Sequence, residues 1–298
     1  MFSEPAPRSS RALSAILRMA HSGMRREFAV GARMAGTSLH LSLDADVATL
    51  RLTRPAAHNA LDEELVGNLA QAFQKLSVAE AVRVVVLEAE GESFCIGADI
   101  GWMRRVAELS PEDGRRDAMQ AAVMLDAMER CAKPVVVLVQ GAALGAGLGL
   151  VAAADIAIAA EAASFGLPEV RAGLVPAVIA PYVAAAMGRR ACRRYMLTGE
   201  RFDAREALRL GLLHAVVPAE RLAEAGGRVV AALRQGGPLA QAEAKDLLRV
   251  LADLPPGPDL MRWTAARSAD IGAGGEAQEG LAALLDRRRP QWADLEAG

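Results

Sequence analysis

The chain has 298 residues, 52% of them hydrophobic, and a formal net charge of −2. That length can bury a large core, as one big domain or one domain with an appendage. Near-neutrality excludes nucleic-acid binding through bulk charge. No apolar run reaches the roughly 18–20 residues of a membrane span. The longest candidate, Val135 to Ala154, is interrupted by Gln140 and four glycines. Cys95, Cys131 and Cys192 form no Cys-x-x-Cys pair, and His21, His40, His58 and His214 lack ligand spacing. No disulfide framework, metal site or structural zinc is therefore expected, and a reducing, cytoplasmic setting fits.

Residues 1–37 are rich in arginine and poor in acids. An Arg-rich, acid-poor leader suits a transit peptide. The plainer expectation is a flexible extension or an upstream start, with Met24 or Met34 as the working one. From Ser38 the pattern alternates. Leu39 to Leu43 and Val47 to Leu52 predict a hairpin across Asp44-Ala45-Asp46. A helix is expected from Asp62 to about Ser77, then a buried β-branched strand over Val82 to Ala89. Ser110 as N-cap with Pro111 at the first helical position predicts a helix to about Arg130. Pro134 to Val139 and Ala154 to Ala159 read as further buried strands. Strand and helix alternate, which predicts an α/β core with crossover connections. From about Pro176 the chain reads as mostly helical. Asp203 and Glu206 form a predicted capping box, and Gly211 a stop. Helices are expected over 239–253, 258–270 and 276–288, so 38–235 is taken as the core and 236–298 as a helical appendage.

Three segments have the make-up of a site. Ser93-Phe94-Cys95-Ile96-Gly97-Ala98-Asp99-Ile100 follows a buried strand and ends in small residues. Such residues let a ligand approach backbone N–H groups, though an ordinary strand-to-helix turn looks the same. Gln140 to Leu150 also follows a strand, with a small-residue helix expected near Gly147. A helix start presents free N–H groups and a positive dipole end, suited to a developing oxyanion. Its Gly-x-Gly-x-Gly spacing is not that of a dinucleotide site, and close helix–sheet packing is the alternative use for these glycines. Glu169, after Pro168 in an apolar stretch, is a candidate acid/base group with a raised pKa. Its alternative role is a helix-start glutamate facing the macrodipole.

Together, and in this order, these segments resemble the crotonase (enoyl-CoA hydratase/isomerase) family, nearest to bacterial methylglutaconyl-CoA hydratase-like members. Supporting pieces are Arg54-Pro55-Ala56-Ala57-His58-Asn59-Ala60-Leu61, Asp155-Ile156, Leu197-Thr198-Gly199 with Gly211-Leu212, and Glu279-Gly280-Leu281 with Arg287 to Pro290. The resemblance spans about residues 38–292. It implies a spiral of ββα units with C-terminal helices that build a homotrimer or a dimer of trimers. It implies an acyl-CoA thioester as the bound partner, coenzyme A being part of the substrate and no separate cofactor being needed. It implies an oxyanion hole from the N–H groups of Ala98 and Ala146. Substrate contacts fall on Ala56, Ala57, His58, Gly97, Asp99, Ile100, Gly145 and Gly149, with Trp102 either lining the acyl pocket or packing a lid helix. Family hydratases pair two glutamates around one water. The second falls on Glu169, but the first falls on Gly149. One glutamate leaves three readings: a hydratase, a Δ3,Δ2-enoyl-CoA isomerase, or a low-activity CoA-binding scaffold. Gly101-Trp102-Met103-Arg104-Arg105 and Leu174 to Val183 favour hydration of a branched, carboxylated enoyl-CoA, with Arg104, Arg105, Arg115 or Arg116 available to its second carboxylate. For any one of these arginines the alternative is a solvated helix face.

Overall fold

A computed structural model describes residues 38–293, so the extension expected over 1–37 lies outside the described residues. The hairpin is β1 (Leu39–Asp44) against β2 (Val47–Leu52), antiparallel, with Leu39 opposite Leu52. Its alternation buries Leu39, Leu41, Ala48, Leu50 and Leu52. Helix α1 (Glu63–Ser77) begins where Asp62 accepts from the Leu65 N–H, and buries Leu65, Val66, Leu69, Phe73 and Leu76. Then come β3 (Val84–Ala89), α2 (Ile100–Ala107) and α3 (Pro111–Glu129), the last capped by Ser110 through the Asp113 N–H. Next are β4 (Val135–Val139), β5 (Ala142–Leu144), α4 (Ala146–Ala152), β6 (Ile156–Ala160) and β7 (Ser164–Gly166). The chain continues through α5 (Ala180–Thr198), β8 (Arg201–Asp203), α6 (Ala204–Arg209) and β9 (Ala215–Val217). It ends with α7 (Leu222–Gln235), α8 (Pro238–Asp253), α9 (Pro258–Gly272) and α10 (Gly275–Leu285).

The large sheet has the order β1-β2-β3-β4-β6-β9 and is parallel from β2 onward. A small sheet, β5-β7-β8, stands beside it. The chain leaves the large sheet after β4 and enters the small one at β5, then forms α4. It repeats this with β6, β7 and α5. Before β4 the same path is sketched by β3 and the segment around Cys95, which bridges Ala143 of β5. This is the ββα spiral. Both faces of the large sheet are covered. Val85, Leu87, Val135, Val137 and Val139 enter the main core, while Val84, Val86, Val136 and Leu138 pack towards Leu222 and Ala225 of α7. A parallel strand covered on both sides needs apolar residues at every position, which is why Val135 to Val139 reads as an unbroken run.

Several local expectations change. The region after Pro176 is not wholly helical: β8 and β9 are three-residue strands, too short to carry a legible alternation, and they form because a sheet edge is available to them. The capping box is one-sided. Asp203 accepts from the Glu206 N–H at 2.8 Å, but the Glu206 carboxylate goes to the Tyr195 hydroxyl (2.9 Å) and to Arg209 (2.6 Å). A charged arginine competes better for that carboxylate than a backbone amide does. Helix α5 breaks its helical path at Gly188 (φ 76°, ψ 152°).

Candidate active site

The site is built from three segments that leave the C-terminal ends of neighbouring strands. The chain around Cys95 runs beside β5: the Cys95 N–H donates to Ala142 O (3.0 Å) and the Leu144 N–H to Cys95 O (2.9 Å). Strand β5 in turn pairs in parallel with β7. Continuing past these strand ends are Gly97-Ala98, Gly145-Ala146 and Leu167-Pro168-Glu169. A crevice at the carboxyl ends of parallel strands is the usual ligand position in such sheets.

Backbone conformation then aims the N–H groups. Gly145 has φ 51° and ψ −122°, a region that side-chain-bearing residues avoid, and it is the N-cap of α4. Its own N–H is held by Gly166 O at 2.9 Å. Gly97 has φ 97°, and a Cβ there would stand 3.6 Å from the Ala146 nitrogen, so the two segment ends meet. On either side of Ala98, Gly97 O accepts from the Leu61 N–H and the Asp99 N–H donates to Leu61 O, both at 2.8 Å. Among the described residues, neither the Ala98 N–H nor the Ala146 N–H donates to a protein acceptor. Two free amides on adjoining turns, one at a helix start, suit a carbonyl oxygen that gains negative charge.

Glu169 faces them from a 3-10 turn, Pro168–Ala172. Its Oε1 lies 2.9 Å from where a Gly145 Cβ would be. Its Oε2 is buried and has no hydrogen-bond partner. Burial pushes this carboxyl above the ordinary carboxylate range, and no charged neighbour opposes the shift. A carboxyl moved towards neutrality can both take and return a proton.

The rim is set by a residue that sequence reading treated only as part of a motif. Asn59 is fully buried in the left-handed region (φ 55°). It accepts from the Arg54 N–H (2.9 Å) and donates to Glu90 O and Ser93 O, both at 2.8 Å. Arg54 pairs with Asp62 (2.7 Å) and Asp99 (3.0 Å). This frame leaves Ala56 and His58 exposed and Ala57 half-buried, with His58 Nδ1 3.1 Å from Ser93 Oγ. The Asp99 carboxylate is occupied, capping α2 through the Gly101 N–H (2.8 Å) and the Trp102 N–H (3.3 Å). Ile100 is exposed. Trp102 is buried in the core and its indole N–H donates to Asp117 of α3 (2.8 Å).

Gly149 lies one turn after Gly145 on the same face of α4. A Cβ added there would collide with Ile179 Cγ2 and lie 2.9 Å from Ile179 Cβ, with Leu125 Cδ1 at 3.8 Å. The place of a second glutamate is thus filled by a buried isoleucine. No local sequence signal links these positions, 30 residues apart.

The profile of the enoyl-CoA hydratase/isomerase family matches residues 42–295. The chain belongs to that family. Among solved structures, an enoyl-CoA hydratase from Shewanella pealeana is 41% identical, with a TM-score of 0.84 over 86% of this chain and 96% of its own. AtuE of Pseudomonas aeruginosa is 35% identical, with a TM-score of 0.83 over 87% of this chain and 100% of its own. The mevalonyl-coenzyme A hydratase SIDH of Beauveria bassiana is 32% identical over 261 residues, covering 83% of this chain and 91% of its own length. Membership makes the chain an enzyme of acyl-CoA thioesters, with hydratase the activity named for several relatives. Among the described residues no helix is long and apolar enough to cross a membrane.

Proposed function

We propose that the chain hydrates a 2-enoyl-CoA, with Glu169 as its one working carboxyl group. The observation that carries this is the Glu169 carboxyl group beside Gly145, its Oε2 buried and unpartnered, with the free N–H of Ala146 next in the chain and that of Ala98 on the adjoining segment. The thioester oxygen accepts from both amides. The Glu169 carboxylate takes a proton from water while the water oxygen bonds to the β-carbon. The double-bond electrons move to the thioester oxygen as an enolate. The Glu169 carboxyl then returns its proton to the α-carbon, so one water is added and the carboxylate is regenerated. No cofactor is required beyond the coenzyme A of the substrate.

The preferred substrate is a branched enoyl-CoA with a second carboxylate, of the methylglutaconyl-CoA type. Arg104, Arg105 and Arg115 are exposed on α2 and α3 and free of carboxylate partners among the described residues, whereas Arg116 is held by Glu112 and Asp113. A second reading follows from Gly149. With no second carboxyl, Glu169 can shuttle a proton between carbons, converting a 3-enoyl-CoA to the 2-enoyl form. A homotrimer or dimer of trimers is part of the proposal. It is supported by Leu239 and Leu248 on α8 and Leu281, Leu284 and Leu285 on α10, all exposed. Leu281, Leu284 and Leu285, spaced i, i+3 and i+4, share one face of α10, and an exposed apolar face marks an interaction surface. The three buried free cysteines fit a reducing, cytoplasmic setting.

The test is a substrate panel. Loss of enoyl-thioester absorbance with crotonyl-CoA and methylglutaconyl-CoA, fastest for the latter, is the expected result. A 3-to-2 shift without hydration selects the isomerase. Binding of CoA with neither reaction selects the scaffold and refutes the proposal.

A further inference from the structure

The side of α4 that faces Glu169 holds a feature the hydration mechanism leaves unused. The Gly149 N–H donates to Gly145 O at 3.0 Å, so the two glycines stack one above the other on one helical face. The open side of Gly145 receives the Glu169 carboxylate, and the open side of Gly149 receives Ile179. The two side chains thus approach positions one turn apart, about 6 Å along the helix axis. One loop delivers both. It leaves Glu169 with the Leu174 N–H on Glu169 O (3.0 Å) and ends where the Val183 N–H takes Ile179 O (3.1 Å). Ile179 is 5% exposed, and buried Leu125 borders the same place, its Cδ1 3.8 Å from a Gly149 Cβ.

We propose that Ile179 is the specificity-determining residue of this site: it excludes any side chain at position 149 and presents a methyl-bearing wall that selects acyl groups with an apolar branch at the β-carbon. The inference rests on the reading of Glu169 as the working carboxyl group. With the thioester oxygen held at the start of α4 and the α-carbon beside Glu169, the β-carbon and its substituents lie further along the helix, against Ile179. A carboxylate at that place would hold water. Isoleucine and leucine hold none, and an alkyl branch gains there by leaving water.

The test is a cycle of Ile179→Ala, Gly149→Glu and the double variant, with Ile179→Val as the conservative control. Each is assayed for hydration of crotonyl-CoA, which has no branch, and 3-methylcrotonyl-CoA, which has one. Thermal melting is recorded in parallel. Ile179→Ala is expected to lower kcat/KM for the branched thioester relative to the unbranched one by about tenfold or more, chiefly through KM, with Val between. Gly149→Glu is expected to lower Tm in the wild-type background and far less in the Ile179→Ala background, because contacting positions are not additive. An unchanged branched-to-unbranched ratio in Ile179→Ala overturns the specificity role. Equal Tm losses for Gly149→Glu in both backgrounds overturn the exclusion role. Wild-type enzyme inert towards every enoyl-CoA instead refutes the hydratase reading, and the melting cycle still decides whether Ile179 closes position 149.

Discussion

Replacing Glu169 by Gln should separate activity from stability in opposite directions. The swap is isosteric, and because Oε2 has no partner, no hydrogen bond at that oxygen is lost. What is lost is the proton-transfer group, so kcat for hydration should fall by about 10²–10⁴. At 1.36 kcal/mol per tenfold, that is a barrier increase of about 2.7–5.4 kcal/mol. The stability effect follows from linkage. The folded-state pKa of Glu169 is raised above its ordinary value of 4.5 by burial. The favourable contribution of the protonated form is therefore complete below pH 4.5 and lost as pH rises through the folded pKa. Above that pH the wild type carries a half-buried negative charge with no charged partner, held by its own backbone N–H. Glutamine replaces it with a neutral amide, and a buried amide costs less than a buried charge. At about pH 8 the variant should thus melt at or above the wild-type temperature, and the advantage should vanish at about pH 4. Steady-state kinetics and melts at the two pH values check both halves. A Gln variant with wild-type kcat, or one that melts well below wild type at the higher pH, would refute the reasoning.

Two further outcomes are expected. Asn59→Ala removes three hydrogen bonds of a fully buried side chain and a residue suited to its left-handed backbone, so unfolding free energy should drop by about 2–4 kcal/mol in a denaturant titration. A loss below about 0.5 kcal/mol would mean that the Arg54–Leu61 loop is held by other contacts. Leu284→Glu with Leu285→Glu places charge on side chains now 74% and 81% exposed on α10. If that face joins subunits, light scattering should show the particle mass falling towards that of one chain. An unchanged oligomer mass would remove α10 from the interface.

The long elements were legible because their signals are local. Alternation in Leu39 to Leu52 marks a strand pair, Asp62 and Ser110 mark helix starts through their own side chains, and Val135 to Val139 marks a strand buried on both faces. The backbone half of the proposed site came from the resemblance, which put the amides at Ala98 and Ala146. The small residues that follow the strands there suit an ordinary turn equally well when read alone. The short strands β8 and β9 were not legible, since three residues carry no period and form only when a sheet edge meets them. Nor was the work of Asn59, whose donors and acceptors come from residues up to 34 positions away.

Position 149 shows the division most clearly. The order of residues was enough to show glycine at position 149, where the family's first glutamate is expected, and the resemblance implied that two backbone amides and Glu169 act on a thioester. What took the glutamate's place was settled by folding. Packing fills volume with whichever side chain the fold brings near, and here a loop starting at Glu169 returns Ile179 to cover Gly149. That contact joins residues with no shared helix, strand or period, so it exists only once the chain has folded.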